Sequence, residues 1–251
     1  MSSLENRIEN CVFSVNYFYD LDNFTWTKSI DDLNDETDDV KLVLVGITPV
    51  YSYITGRILK FKTKPVGTDI VRNKSLGTVE SLNHFGIIRS PVSGQIVEIN
   101  DEIIHNPKVV NDSPFECGWI ARIKTKDNLK SLESIKRINE CKYELESQIK
   151  KFNVKCFKLF PDFQMYELGT ECSATLAKLS EFMMNNMRIG HVIRLVSDDP
   201  TADLELLRWA DQNKQEIVEI VQETNPVPSS LSNSSNNYLF NIIIKKIKDL
   251  V

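Results

Sequence analysis

Cys172 is the residue best placed to do chemistry. It stands in Gly169-Thr170-Glu171-Cys172-Ser173-Ala174-Thr175-Leu176. Leu176, Leu179, Phe182 and Met183 then recur at helical spacing. A cysteine that opens a helix faces free backbone N–H groups and the positive end of the helix dipole, which lowers a thiol pKa. Glu171 beside it acts in the opposite sense. The expectation is a nucleophilic thiolate. A second constellation is Gly77-Thr78-Val79-Glu80-Ser81-Leu82-Asn83-His84. Glu80, Asn83 and His84 are its candidate contact residues. The Asn83 amide nitrogen is no nucleophile, because its lone pair is delocalised into the carbonyl. Asn83 reads as a turn residue. His84, beside Phe85, fits a partner or ligand contact and a solvated turn equally.

The other candidates are weaker. Five cysteines, Cys11, Cys117, Cys141, Cys156 and Cys172, are odd in number and lack CxxC spacing. Neither a disulfide framework nor a zinc site is expected. Cys117, beside Phe115 and Trp119, reads as a small packed residue, and Trp119 and Trp209 as core. Cys141 and Cys156 each adjoin a lysine, Lys142 and Lys155, which favours a thiolate, but neither lies in a motif. Three histidines, His84, His105 and His191, make no metal cluster. The run Asp31, Asp32, Asp35, Glu36, Asp38, Asp39 reads as an exposed loop and matches no calcium loop.

A net charge of −5 over 251 residues argues against a nucleic-acid or anionic-membrane binder, which needs a concentrated basic face. No apolar stretch reaches the length of a membrane span. The N-terminal residues lack the apolar middle of a signal peptide, so the expected location is the cytoplasm.

The elements around these residues fall into three stretches. Residues 13–27 look like strands. From 40 to 124, short strands alternate with Gly and Pro turns, such as Pro65-Val66-Gly67 and Ser90-Pro91-Val92-Ser93-Gly94, as in a sandwich or barrel. Leu129, Leu132, Ile135, Ile138 and Leu145 then recur at roughly helical spacing, predicting a helical connector. Beyond it come a strand at Phe163–Leu168, a helix at Cys172–Met187, a strand at His191–Val196, and a helix with Asp199 as cap and Pro200 in its first turn. Strands at Glu216–Val221 and Tyr238–Ile247 flank a Pro/Ser/Asn loop at 225–237. That order predicts a two-layer α/β sandwich.

Three segments of the first stretch carry a family resemblance. They are Val45-Gly46-Ile47-Thr48 with Gly56-Arg57-Ile58; Gly77 through Asn83 into Ser90-Pro91-Val92-Ser93-Gly94; and Asn106-Pro107-Lys108-Val109-Val110-Asn111 through Pro114-Phe115 to Gly118-Trp119-Ile120. In order and spacing they resemble the H protein of the glycine cleavage system. The resemblance implies a flattened β barrel-sandwich whose hairpin tip presents a lipoyl-lysine within Glu-Ser-Val-Lys to partner enzymes. This chain reads Glu80-Ser81-Leu82-Asn83, so lipoate is not expected at Asn83. Lys74, the nearest alternative, lies in the approach to the hairpin.

A second resemblance rests on Gly169 to Leu176, on Gly190-His191-Val192-Ile193, and on Val196-Ser197-Asp198-Asp199-Pro200-Thr201-Ala202-Asp203-Leu204. It looks like the TusA family of sulfur carriers, where Cys-Pro-x-Pro opens the first helix. The resemblance implies a persulfide on Cys172. Here the motif is Cys172-Ser173-Ala174-Thr175, without either proline. Together these readings predict an all-β barrel-sandwich hybrid over 10–127, a helical connector over 128–154 and a TusA-like α/β two-layer sandwich over 155–251. They imply a sulfur-trafficking protein with no cofactor, whose partners are sulfur-transfer or lipoate-dependent proteins. Whether it is a sulfurtransferase enzyme stays open. The alternative is a non-catalytic scaffold with both sites degenerate.

Overall fold

A computed structural model describes residues 5–30, 40–82, 84–224 and 238–250. The acidic run 31–39, Asn83 and the loop 225–237 lie outside the described residues. The chain divides into two compact units, Met1–Cys156 and Phe157–Val251.

The first unit runs β1 (Glu5–Ile8), β2 (Cys11–Ser14), β3 (Phe18–Asp20), β4 (Thr25–Ser29), β5 (Lys41–Ile47), α1 (Pro49–Thr55), β6 (Ile58–Thr63), β7 (Asp69–Ile70), β8 (Ser75–Ser81), β9 (Phe85–Arg89), β10 (Gly94–Ile99), α2 (Asp101–His105), α3 (Val109–Asp112), β11 (Ala121–Thr125), β12 (Lys136–Arg137) and α4 (Ile138–Lys151). Seven strands form one sheet in the order β12-β3-β4-β5-β11-β10-β7, and β6-β8-β9 form another. β1 and β2 pair alone. Between the larger sheets lies a core that includes Val43, Val45, Ile47, Phe61, Leu76, Val79, Ile96 and Ile123. A second core, on Trp26, Tyr19 and Phe13, takes the buried residues of α4.

The expected all-β barrel-sandwich is corrected to a sheet-rich fold of open sheets with helices, and no barrel closes among the described residues. Local capping chemistry starts two of the helices. Thr48 accepts a hydrogen bond from the Tyr51 N–H and Pro49 takes the first helical position, so β5 passes into α1. Asn100 likewise accepts from the Glu102 N–H and starts α2. Asn111 is buried, and its Oδ1 accepts from the Ile58 N–H at 2.9 Å while its Nδ2 donates to Ser52 Oγ and the Gly56 carbonyl. One amide thus fixes α3, the end of α1 and the start of β6.

The expected connector is corrected too. Of residues 128–154 only Ile138–Lys151 is helical. That helix buries Ile138, Cys141, Leu145 and Ile149 in the second core of the first unit, so it packs as part of the domain. Its helical spacing is real, but Leu129 and Ile135 reach the other core from turns. The expectation of no disulfide fails as well. Cys11 and Cys156 are bonded across 145 residues of sequence. A pairing that distant comes from tertiary approach and leaves no spacing signature. Cys117 is exposed, against its reading as packed, and Trp119 is half-buried with the Arg122 guanidinium 5.8 Å from its ring centre.

The second unit runs β13 (Phe163–Glu167), α5 (Cys172–Asn186), β14 (Val192–Ser197), α6 (Ala202–Asn213), β15 (Glu216–Thr224) and β16 (Tyr238–Lys245). The sheet order is β13-β14-β16-β15, with β13 and β14 parallel and the other pairs antiparallel. Leu179 and Met183 of α5 and Leu206 and Trp209 of α6 share a core with Ile193, Leu195, Ile242 and Ile244 of the sheet. Lys246 is buried, and its ammonium donates to the Met183 and Met187 carbonyls at the end of α5. Its charge suits the negative pole of that helix. The regular helix starts at Ala202, two residues later than expected from Asp199-Pro200, although Asp199 Oδ1 still accepts from the Thr201 N–H as a cap does.

Candidate functional site

β8 and β9 form a hairpin within the three-stranded sheet. Two glycines allow its placement. A Cβ on Gly77 would stand 2.4 Å from the Lys62 carbonyl oxygen, so only glycine lets β8 lie this close to β6. A Cβ on Gly86 would meet the Tyr51 hydroxyl at 2.3 Å and His84 Nε2 at 2.7 Å. Ser81 anchors the turn. Its hydroxyl donates to the Thr55 carbonyl at the end of α1 at 2.8 Å and accepts from the His84 N–H at 3.1 Å. The Ser81 N–H donates to the His84 carbonyl, closing the turn.

Of the expected residues, Glu80 points outward with its carboxylate 3.9 Å from Lys60 Nζ. His84 is half-buried, edge-on to Tyr51 at 6.4 Å between ring centres. Burial holds the Tyr51 phenol above its ordinary pKa, so it stays neutral at physiological pH. Tyr51, Thr55 and Lys60 escaped the sequence reading. No spacing relates them to the hairpin, though Thr48-Pro49 announces the helix that delivers the first two. Lys74 lies before β8, at the end away from the turn. At about 3.3 Å per residue it is roughly 25 Å from the tip.

The sequence profile of the family "Glycine cleavage H-protein" matches residues 27–155, slightly more than half of the chain. The chain belongs to the glycine cleavage H-protein family. Among its relatives, "Glycine cleavage system H protein 5" of Aquifex aeolicus is 31% identical over 133 residues, spanning 53% of this chain and 84% of that protein. "Glycine cleavage system H protein 3" of the same organism is 28% identical over 153 residues, or 60% and 90% of the two chains. "Glycine cleavage system H protein" of Prosthecochloris aestuarii is 41% identical over 90 residues, or 36% and 70%. A crystal structure of an H protein from Mycobacterium marinum aligns at 23% identity and a TM-score of 0.45, covering 53% of this chain and 98% of that one. The H-family match ends at 155, so α4 belongs to it and the unit from Phe157 onward lies beyond it. No helix among the described residues is long and apolar enough to cross a membrane.

In the second unit Cys172 is the first residue of α5, as expected. Two carboxylates of the loop after β14 clasp this helix start. Asp198 accepts from the Gly169 N–H at 2.8 Å, and Asp199 Oδ2 accepts from the Cys172 N–H at 2.9 Å. Asp199 Oδ1 takes the Thr201 N–H and hydroxyl. Burial pushes the Asp199 carboxyl up, but these hydrogen bonds outweigh it and hold its pKa below the ordinary carboxylate value. The expectation of a lowered thiol pKa is reversed. Cys172 is 7% exposed, and burial, then the Asp199 and Glu205 carboxylates, push its pKa up to about 11. A helix dipole is worth fractions of a unit charge at its end, and a full carboxylate on the same N–H outweighs it. Cys141 is also buried and pushed up to about 12, so its neighbouring lysine makes no thiolate. Cys156 is in the disulfide and does not titrate.

Proposed function

We propose that this protein is a docking member of the H-protein family that carries no lipoyl arm. One observation supports the reading above the rest. The hairpin turn is anchored through Ser81, Thr55 and His84, while the sequence there offers Asn83 where an amine is required. The relatives are named for the glycine cleavage system. The partners proposed here are accordingly the lipoate-dependent enzymes of that system, bound through the hairpin and its sheet. No cofactor is assigned, and the compartment proposed is the cytoplasm. The test incubates the protein with lipoate, ATP and a lipoate ligase, and reads the intact mass. The wild type stays unmodified and Asn83→Lys gains one lipoyl group. A lipoylated wild type overturns the reading.

A second reading, from the TusA resemblance, makes the second unit a sulfur carrier. It draws on Cys172 as the first residue of a 15-residue helix. In that chemistry the Cys172 thiolate attacks the outer sulfur of a donor persulfide, the donor S–S bond breaks, and the donor leaves as a thiolate. A thiol with a pKa near 11 is protonated at neutral pH, so this step needs a donor that displaces Asp199 or removes the proton. Mass spectrometry of thiol-trapped protein settles it: an added sulfur on Cys172, absent in Cys172→Ala, is required.

A further inference from the structure

The outer face of the β6-β8-β9 sheet carries an apolar stripe beside a basic row. Leu82, Phe85 and Ile87 are 79%, 67% and 47% exposed. Phe85 and Ile87 are two apart on β9, the edge strand of that sheet, and so point to the same face. The inward residues of the same sheet, Phe61, Val79 and Ile88, are in the core. Register then places the basic row. Glu80 of β8 pairs with Phe85 on one side and Lys60 on the other; Thr78 pairs with Ile87 and Lys62. Lys60 and Lys62 thus run parallel to Phe85 and Ile87, two strands away. Lys60 meets Glu80 at 3.9 Å, and Lys62 has no ion-pair partner among the described residues. A contiguous exposed apolar stripe on an edge strand is a contact surface unless covered. On this face the exposed Lys60, Lys62 and Arg89 stand against one carboxylate among the described residues, Glu80, in a chain whose net charge is −5.

We propose that this face docks an acidic amphipathic α-helix of a partner protein. The dimensions and charges select that occupant. Strands lie about 4.8 Å apart, so the stripe and the basic row are separated by about 10 Å, the width of one helix with its side chains. A helix laid along β9 puts its apolar face on Phe85 and Ile87 and brings a flank of carboxylates to Lys60 and Lys62. A strand added to the β9 edge would extend away from both lysines and leave the basic row unused. The proposal deepens the docking reading, which it rests on only for its biological use.

The probe is a labelled helical peptide of about 18 residues with leucines at i, i+3, i+4, i+7 and glutamates along one flank, set against a twin with lysines in place of the glutamates. Both are titrated into the full-length protein by fluorescence anisotropy. The acidic peptide should bind at least about tenfold tighter than its twin, with the preference shrinking as salt rises. Phe85→Asp with Ile87→Asp should cost about tenfold or more, and Lys60→Glu with Lys62→Glu should reverse the preference. Thermal melts check that each variant folds; the lysine pair, exposed on the surface, decides the matter if the apolar pair does not fold. Equal binding of the two peptides, or binding indifferent to the lysine pair, overturns the proposal. Self-association abolished by Phe85→Asp also overturns it, by making a second copy the occupant. Lipoylation of the wild type would overturn the arm-less reading and leave the peptide result standing.

Discussion

Cys172 should be among the slowest thiols of this chain to alkylate, and Asp199→Asn should speed it. The ordinary thiol value is 9.0, and the buried Cys172 sits at about 11. Two units mean a thiolate fraction about a hundredfold lower at any pH below 9. Burial adds a further barrier to reagent, since the residue is 7% exposed. Cys117, exposed and free, provides the reference within the same molecule. The assay is iodoacetamide labelling under native conditions, with each cysteine-containing peptide followed by mass spectrometry between pH 7 and 11. At pH 8 Cys172 should label at least about a hundredfold more slowly than Cys117, and its rate should still be climbing at pH 10. Asp199→Asn keeps an oxygen to accept from the Cys172 N–H but removes the second cause of the raised pKa. It should speed labelling by several-fold, up to about tenfold for one unit of pKa. A Cys172 that labels as fast as Cys117 and levels off by pH 8 would refute the electrostatic account and revive the sulfur carrier.

Three further outcomes follow from the packing. Replacing Cys11 with Ser should destabilise the first unit by about 2–5 kcal/mol in urea, because the bond closes a loop of 145 residues; an unchanged midpoint under oxidising conditions would mean the bond does not form. Asn111→Ala leaves the buried Ile58 N–H without its acceptor and should cost about 2–4 kcal/mol by the same measurement, where a loss below 1 kcal/mol would show that water replaces it. Asp199 has a folded pKa below its unfolded one, so its contribution to stability is full above about pH 4 and is lost as the pH falls through the folded value. The stability gap between wild type and Asp199→Asn should therefore close in acid, and a gap that widens below pH 4 would contradict the assignment.

The sequence reading succeeded where signals are local. The strand, helix, strand, helix, strand, strand order after residue 157 follows from short apolar runs and helical spacing, and β13 to β16 appear at those places within a few residues. Cys172 as the first residue of α5 is local in the same sense. The failures share one cause, which is that they depend on residues brought together by tertiary structure. Burial of Cys172, and then the Asp199 carboxylate from 27 positions away, reverse the Cys172 expectation. Cys11 and Cys156 pair across nearly the whole first unit. The helix after 137 has an apolar face that fits a connector as well as a domain, and only the Trp26 and Tyr19 core shows which. Around the hairpin, Glu80 and His84 were legible by their neighbours in sequence, while Tyr51, Thr55 and Lys60 arrive through α1 and β6. Thr48-Pro49 is a local helix start inside a stretch whose Gly and Pro spacing otherwise signals strands.

The proposed function is that the anchored hairpin of this H-family member carries no lipoyl arm. Intact and peptide mass spectrometry tests it most directly, on wild type and Asn83→Lys expressed side by side in cells that lipoylate their own H protein. The account predicts no lipoyl group on any peptide of the wild type and one on the residue 83 peptide of the variant. A lipoyl group on the wild type, at Lys74, Lys60 or any other lysine, would contradict it.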